Sequence, residues 1–305
     1  MNFIEELKNL KEQIKFKEKF NLDFDYDNIV ISGMGGSGIV GDIIQEHYTK
    51  KPLIAIGDYG IPDFVDENTL FIGISYSGNT EETINNIKEA KERNAHIFAI
   101  TAGGKLADMV ENKIIIPSGL QPRSAIGYML MPLFNTFAPI QDSIIDETYN
   151  LLDSMDKNHD EMKKFALKIY ENSYIPIIFG AKPYKSVAYR WKTQFNENSK
   201  TFAFYNYFPE LNHNDTMPLK KAYRKDEYLY FVFNSDHPRV QKRINVTQEI
   251  TGESFNIISS PTEDYFQKLF YLIHYADYVT YELALIRDVD PTDVSTIEEL
   301  KSKLA

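Results

Sequence analysis

Short apolar runs alternate with segments of helical periodicity along most of this 305-residue chain. In the first half, the runs are rich in β-branched residues and lie at positions 29–31, 52–56, 70–74, 95–100 and 113–117. Each run is short enough for a buried strand, and helical periodicity follows most of them. A series of β-then-α units predicts a parallel, doubly wound α/β sheet.

A second series of the same kind follows in the other half of the chain. Its runs lie at 174–180, 202–204, 227–233 and 254–258, beyond a helix-rich stretch from about 128 to 169. The chain length also favours two domains, which we place at residues 1–150 and 151–305. Apolar residues at helical spacing predict an N-terminal helix over 4–14 and a helical tail at the other end.

Composition and charge exclude several classes of protein. A formal net charge of -11 cannot supply the basic surface that nucleic-acid binding requires. No window approaches the 18 uninterrupted apolar residues of a membrane span, and the first residues lack the basic and apolar regions of a signal peptide, so we expect a cytoplasmic protein. The absence of cysteine rules out thiolate catalysis and disulfides.

The first chemical signal is a glycine-rich turn, Gly33–Gly38, between a predicted strand and an apolar helix. Glycine lets a ligand approach the backbone, and the start of a helix offers unpaired N–H groups to an anion. The spacing Gly-x-Gly-x-x-Gly also fits a dinucleotide-binding turn. Such a turn is followed by an acidic residue about 20 positions further on, and the only candidate here is Asp58. A tight turn without a ligand is the third interpretation.

The second signal, Ser75–Thr83, also follows a strand and opens a helix. Several hydroxyl groups and backbone donors meet there, which suits a phosphomonoester held without lysine or arginine. The alternative is an ordinary helix cap made by Ser77 or Thr80, which accounts for one hydroxyl group rather than three.

Together the two turns resemble the first half of a sugar-isomerase (SIS) domain. The order of motifs along nearly the whole chain is similar to that of the bifunctional phosphoglucose/phosphomannose isomerases of archaea and some bacteria. Supporting segments lie at 122–127, 195–200, 209–215 and 290–301. The resemblance implies two SIS-type α/β domains. It also implies a hexose 6-phosphate substrate whose phosphate is bound by Gly36, Ser37, Ser75, Ser77 and Thr80.

The resemblance also implies catalytic roles, since an aldose–ketose isomerase moves a proton between C1 and C2 through an enediolate. Glu197 would be the base, and His213 would open the sugar ring from the other subunit of a homodimer with shared active sites. Arg123 would stabilise the enediolate, and Lys301 would lie near the sugar. A surface salt bridge is the other interpretation of Arg123, and a solvated helix face that of Lys301.

The histidines give no metal-binding spacing, because none of the six lies two or four positions from another. We therefore expect no metal and no other cofactor. The prediction is an isomerase that converts glucose 6-phosphate and mannose 6-phosphate into fructose 6-phosphate. Two alternatives stay open: a SIS module that senses a sugar phosphate without chemistry, and a dinucleotide-dependent oxidoreductase.

Overall fold

The computed structural model describes residues 2–304 and divides into two compact units, with the boundary between Asp153 and Ser154. Unit 1 precedes this boundary and unit 2 follows it. The boundary falls inside a helix of the helix-rich stretch, Asp142–Lys157. Each unit is built around its own parallel sheet.

The sheet of unit 1 has five parallel strands in the order β2-β1-β3-β4-β5. The strands are β1 (Asn28–Ser32), β2 (Leu53–Ile56), β3 (Thr69–Ile74), β4 (His96–Thr101) and β5 (Lys113–Ile115). The helices are α1 (Phe3–Lys8), α2 (Leu10–Gln13), α3 (Gly35–His47), α4 (Glu81–Glu92), α5 (Gly104–Met109), α6 (Ile126–Phe137) and α7 (Asp142–Lys157). A short 3₁₀ helix, Pro122–Ala125, precedes α6.

The sheet of unit 2 has four parallel strands in the order β7-β6-β8-β9. The strands are β6 (Ile175–Ala181), β7 (Phe204–Phe208), β8 (Tyr228–Phe233) and β9 (Phe255–Ile258). The helices are α8 (Asp160–Asn172), α9 (Lys185–Asn198), α10 (Thr216–Lys221), α11 (Pro238–Thr251), α12 (Tyr265–Ile286) and α13 (Ser295–Leu304). Short 3₁₀ helices span Glu210–His213 and Lys225–Glu227.

The two sheets share one topology. In each, the first strand lies between the second and the third, so the order changes direction at the first strand. Ligands of doubly wound folds bind at the carboxyl ends of the strands at such a switch point. The predicted fold class of two parallel α/β domains with an N-terminal helical segment and a C-terminal helix is confirmed.

The central strands explain why the chain folds this way. All six residues of β3 are buried, and its apolar run is typical of a parallel strand covered on both faces. In unit 1 the core forms around Val30, Phe71 and Ile87. In unit 2 the buried aromatic rings of Phe179 and Phe208 pack edge to face, with centroids 6.1 Å apart.

Most strand bounds differ from the sequence-based ones by one or two residues, and two differences have a clear physical reason. The N-terminal helix is divided at Asn9, but this residue keeps right-handed helical angles, φ -68° and ψ -15°, so α1 runs on into α2. The strand expected at 202–204 begins at Phe204 instead, where pairing with Ile177 starts. Phe202 is 82% exposed, so its apolar character does not mark a buried strand position.

Candidate active site

The first turn joins β1 to α3. Its backbone is tightly folded, since a Cβ atom on Gly38 would lie 2.7 Å from the carbonyl oxygen of Gly33. The N–H groups of Ser37 and Gly38 donate to the carbonyl of Met34 at 3.1 and 3.2 Å. Met34 precedes the helix and supplies no side-chain cap. The N–H groups of Gly35 and Gly36, which precede these bonds at the start of α3, therefore stay available to an external acceptor such as an anion.

The second turn joins β3 to α4 and is organised by Ser75. The Ser75 Oγ atom lies 2.8 Å from Thr80 Oγ1 and accepts a hydrogen bond from the Gly78 N–H at 3.1 Å. Ser75 is buried, Thr80 is half-buried and Ser77 is exposed. Thr80 occupies the N-cap position of α4 without a capping hydrogen bond from its side chain. Helix capping therefore does not explain this threonine.

The two turns contact each other. Their strands are neighbours, with Ser32 opposite Gly73, so both turns lie at the carboxyl edge of the sheet. The backbone N–H of Tyr76 donates to Ser37 Oγ at 3.4 Å, which links the second turn to the first. Unit 1 therefore brings four predicted phosphate-binding side chains to one edge of the sheet. These side chains are Ser37, Ser75, Ser77 and Thr80.

A third turn, which the sequence analysis missed, supports the second. Gly78 has φ +68°, and a Cβ atom there would lie 1.7 Å from the carbonyl oxygen of Gly103. The N–H of Leu106 donates to the Gly78 carbonyl at 2.9 Å, and that of Ala102 to the Tyr76 carbonyl at 3.0 Å. The Gly103-Gly104 pair directly after β4 was the available signal.

Arg123 borders the first turn. It lies in the 3₁₀ helix Pro122–Ala125, and a Cβ atom on Gly36 would lie 3.5 Å from the Arg123 Cα. The Arg123 side chain is 5% exposed and donates from Nη1 to Gln121 Oε1 at 3.3 Å. Its guanidinium lies 5.4 Å from the ring centroid of Phe3. The backbone of a buried, always-charged residue therefore lies beside the first turn.

Tyr76 connects the second turn to the segment that leads into Arg123. Its hydroxyl group donates to the Pro117 carbonyl at 3.2 Å and accepts from the Leu120 N–H at 2.9 Å. Burial of the ring raises the pKa of Tyr76 above its usual value. The phenol therefore stays protonated at neutral pH, and its hydrogen bonds link the second turn to the segment before Arg123.

Unit 2 holds the other predicted catalytic residues, each in a different element. Glu197 is half-buried in the last turn of α9. That helix end is fixed by Asn198, whose amide donates to Thr280 Oγ1 at 2.9 Å, and by Lys200, whose Nζ atom donates to the Glu197 carbonyl at 2.8 Å. The carboxylate of Glu197 therefore extends from an anchored backbone.

His213 is exposed at the end of the 3₁₀ helix Glu210–His213. The preceding Asn212 donates from its amide to Thr247 Oγ1 on α11 at 2.7 Å. Lys301 is exposed on α13, a helix with no buried position among its described residues. His213 thus sits on a fixed turn, and Lys301 on a solvated helix.

Unit 2 repeats the topology of unit 1 but not its glycine turn. After β6, the corresponding connection reads Lys182, Pro183 and Tyr184, and the Tyr184 side chain is 1% exposed. Burial raises the pKa of Tyr184 strongly, with a further contribution from the carboxylate of Asp236. A buried tyrosine and nearby carboxylates do not suit phosphate, so the turns of unit 1 are the candidates for an anion site.

Within residues 2–304, no group of three or more histidine, aspartate or glutamate side chains has a geometry that could hold a metal ion. No helix in the same part of the chain is long and apolar enough to cross a membrane.

Parallel α/β units with hydroxyl-lined turns at the sheet edge define a protein built from SIS domains. A model of the SIS domain matches residues 24–133, and a model described as "Bacterial phospho-glucose isomerase C-terminal SIS domain" matches residues 158–304. Solved structures agree on the fold. Glucosamine-6-phosphate deaminase of Thermotoga maritima superposes with a TM-score of 0.71 at 21% identity, over 95% of this chain and 96% of that one.

Curated relatives identify the family. A bifunctional phosphoglucose/phosphomannose isomerase of Thermoplasma volcanium is 55% identical over the full length of both chains. One from Aquifex aeolicus is 36% identical over 92% of this chain and 91% of its own. The chain belongs to the bifunctional phosphoglucose/phosphomannose isomerase family.

Proposed function

We propose that this protein interconverts glucose 6-phosphate and fructose 6-phosphate, and that it accepts mannose 6-phosphate as a second aldose. The observation that carries the proposal is the pair of linked turns in unit 1, joined through the Tyr76 N–H and Ser37 Oγ at 3.4 Å. Full-length relatives named as phosphoglucose/phosphomannose isomerases support the same activity.

The phosphate group of the substrate would bind at the two turns. The N–H of Gly36 at the start of α3 and the hydroxyl groups of Ser37, Ser75, Ser77 and Thr80 would donate to its oxygens. Glu81 and Glu82 already occupy the first turn of α4. They make the surroundings acidic, so short hydrogen bonds rather than a general positive field must hold the dianion.

Isomerisation requires proton transfer at carbon. The carboxylate of Glu197 takes the proton from C2 of the open-chain aldose, which leaves a cis-enediolate, and returns it to C1 to give the ketose. The oxygen-bound proton moves from O2 to O1 in the same conversion. The charge of Arg123 stabilises the enediolate oxygen, and Lys301 assists near the sugar.

Tolerance of two aldoses follows from the intermediate. The enediolate is planar at C2, so a proton delivered to one face gives the glucose epimer and to the other face the mannose epimer. His213 catalyses ring opening, since an imidazole both donates and accepts a proton near neutral pH. We infer that it reaches the site of the other subunit in a cytoplasmic homodimer with shared active sites.

Replacement of Glu197 tests the proposal. A Glu197→Gln variant should lose about 10²–10⁴-fold in kcat while the KM for fructose 6-phosphate changes little, because the phosphate turns are intact. In D₂O the same variant should stop incorporating deuterium at C1 and C2. The control is Glu249→Gln, which removes an exposed glutamate on α11. Undiminished turnover in the Glu197 variant would remove the proposed base.

Subunit mixing tests the shared site. Glu197→Gln and His213→Ala homodimers should each be inactive, but their mixed dimer contains one site with both residues intact. Random exchange of equal amounts should therefore restore about one quarter of wild-type activity. If activity stays absent after subunit exchange is verified by mass, His213 does not act across the interface.

A further inference from the structure

The N-terminal segment buries two polar side chains, Glu6 at 5% and Gln13 at 0% exposure. A buried polar group is costly unless it is hydrogen-bonded, so its partners indicate its role. Both side chains bond to the backbone around Arg123. The carboxylate of Glu6 accepts from the Gln121 N–H at 2.9 Å, two residues before Arg123.

Gln13 bonds to both ends of the turn that follows Arg123. Its Nε2 atom donates to the carbonyl of Ser124 at 2.7 Å. Its Oε1 atom accepts from the N–H groups of Gly127 at 2.9 Å and Tyr128 at 3.3 Å. One amide therefore fixes the backbone where the 3₁₀ helix passes into α6.

Position 127 is a glycine, which leaves room for the Gln13 side chain. A Cβ atom on Gly127 would lie 2.6 Å from the Cβ atom of Gln13, so a side chain there would displace the glutamine. A four-residue 3₁₀ helix such as Pro122–Ala125 has few hydrogen bonds of its own. Contacts from outside, chiefly those of Gln13, therefore set where the Arg123 backbone lies relative to the first turn.

We propose that Gln13 is a positioning residue for Arg123, and that α1 and α2 serve the active site through it. This inference rests on the proposed role of Arg123 in stabilising the enediolate. Catalysis is sensitive to displacements of about 1 Å in a group that contacts the reacting atoms. A loosened Arg123 should lower turnover and leave binding by the phosphate turns largely unchanged.

The test compares two glutamine-to-methionine variants. Gln13→Met removes the three backbone bonds at nearly constant volume. The matched control, Gln45→Met, removes a bond of the same kind, in which Gln45 Oε1 accepts from the Ala55 N–H at 2.6 Å. We expect Gln13→Met to lower kcat about 10–100-fold with KM within about threefold, and Gln45→Met to keep wild-type kinetics.

A double-mutant cycle shows whether Gln13 acts through Arg123. In an Arg123→Ala background, Gln13→Met should change the residual kcat by less than about twofold, because the group it positions is gone. Gln13→Glu keeps an acceptor for the Gly127 N–H but loses the donor to Ser124. It should recover part of the lost turnover and provides a second variant if the methionine chain folds poorly.

The outcomes separate the inference from the function on which it rests. If Arg123→Ala keeps full turnover, the proposed role of Arg123 fails and the positioning role fails with it. If Arg123→Ala is impaired while Gln13→Met and Gln13→Glu turn over normally, only the positioning role is overturned. An undiminished effect of Gln13→Met in the Arg123→Ala background overturns it too, since the loss would then be general destabilisation.

Discussion

The second turn has no room for a side chain at Gly78. Replacing this residue by alanine would place a Cβ atom 1.7 Å from the carbonyl oxygen of Gly103, in a backbone with φ +68°. Neither atom is the end of a flexible side chain, so the turn or its support at Gly103 must move. Because Gly78 lies between Ser77 and Thr80, movement of the turn displaces phosphate-binding hydroxyl groups.

Two contributions make up the expected cost. The left-handed backbone costs an L-residue about 1–2 kcal/mol, and forcing an extra carbon into a packed site typically costs about 1–3 kcal/mol more. A substitution at Gly60 distinguishes the two contributions, because Gly60 has φ +87° and a Cβ atom placed there would have no other atom within 4 Å. Gly60→Ala should therefore lose only the first contribution.

Thermal unfolding and kinetics together measure the difference. At about 2–4 °C per kcal/mol, Gly78→Ala should lower Tm by about 5–15 °C and Gly60→Ala by about half as much or less. The KM for fructose 6-phosphate should rise about tenfold or more in Gly78→Ala, equivalent to about 1.4 kcal/mol of lost binding, and stay near wild type in Gly60→Ala. Equal stability and equal KM in the two variants would show that the contact between Gly78 and Gly103 does not restrict the second turn.

Two further predictions concern stability. Burial lowers the pKa of His47 below its ordinary 6.5, so the folded state binds its proton less readily than the unfolded state. The free energy of unfolding should therefore fall as the pH drops below 6.5, because the unfolded chain then gains a proton that folded His47 does not. In urea titrations, the free energy of unfolding of His47→Gln should fall less steeply over the same pH range. Asp277→Asn removes the carboxylate that accepts from buried Arg190 at 2.8 Å and should cost about 3–5 kcal/mol by urea unfolding, without a change in KM. A stable Asp277→Asn would show that the ion pair is dispensable.

The local pattern of the sequence was enough to predict that the strands exist, though not the bounds of each, and to single out the two turns rich in glycine and hydroxyl groups. The apolar run of β3 and the glycines after β1 are local signals, since strand burial and a tight turn depend on adjacent residues. Resemblance to a known family then linked Ser37 and Ser75 to a phosphate. The structure brings their two turns into contact, and the phosphate role stays a prediction.

Long-range contacts were not predictable in this way. The bond from Gln13 to Ser124 spans 111 positions, and nothing in the local pattern distinguishes Gln13 from a surface glutamine at a helix end. The contact between Gly78 and Gly103 likewise depends on how two loops meet. The start of β7 was misplaced because Phe202 is apolar yet exposed, and hydrophobicity alone cannot show that.

A crystal structure with 6-phosphogluconate, a linear six-carbon analogue of the open-chain sugar, would test most directly whether the two turns of unit 1 bind the phosphate. We expect the phosphate within hydrogen-bond distance of Ser37, Ser75, Ser77 and Thr80, with the carboxylate end beside Glu197. A phosphate bound elsewhere, for example at the Lys182–Tyr184 connection of unit 2, would contradict this expectation.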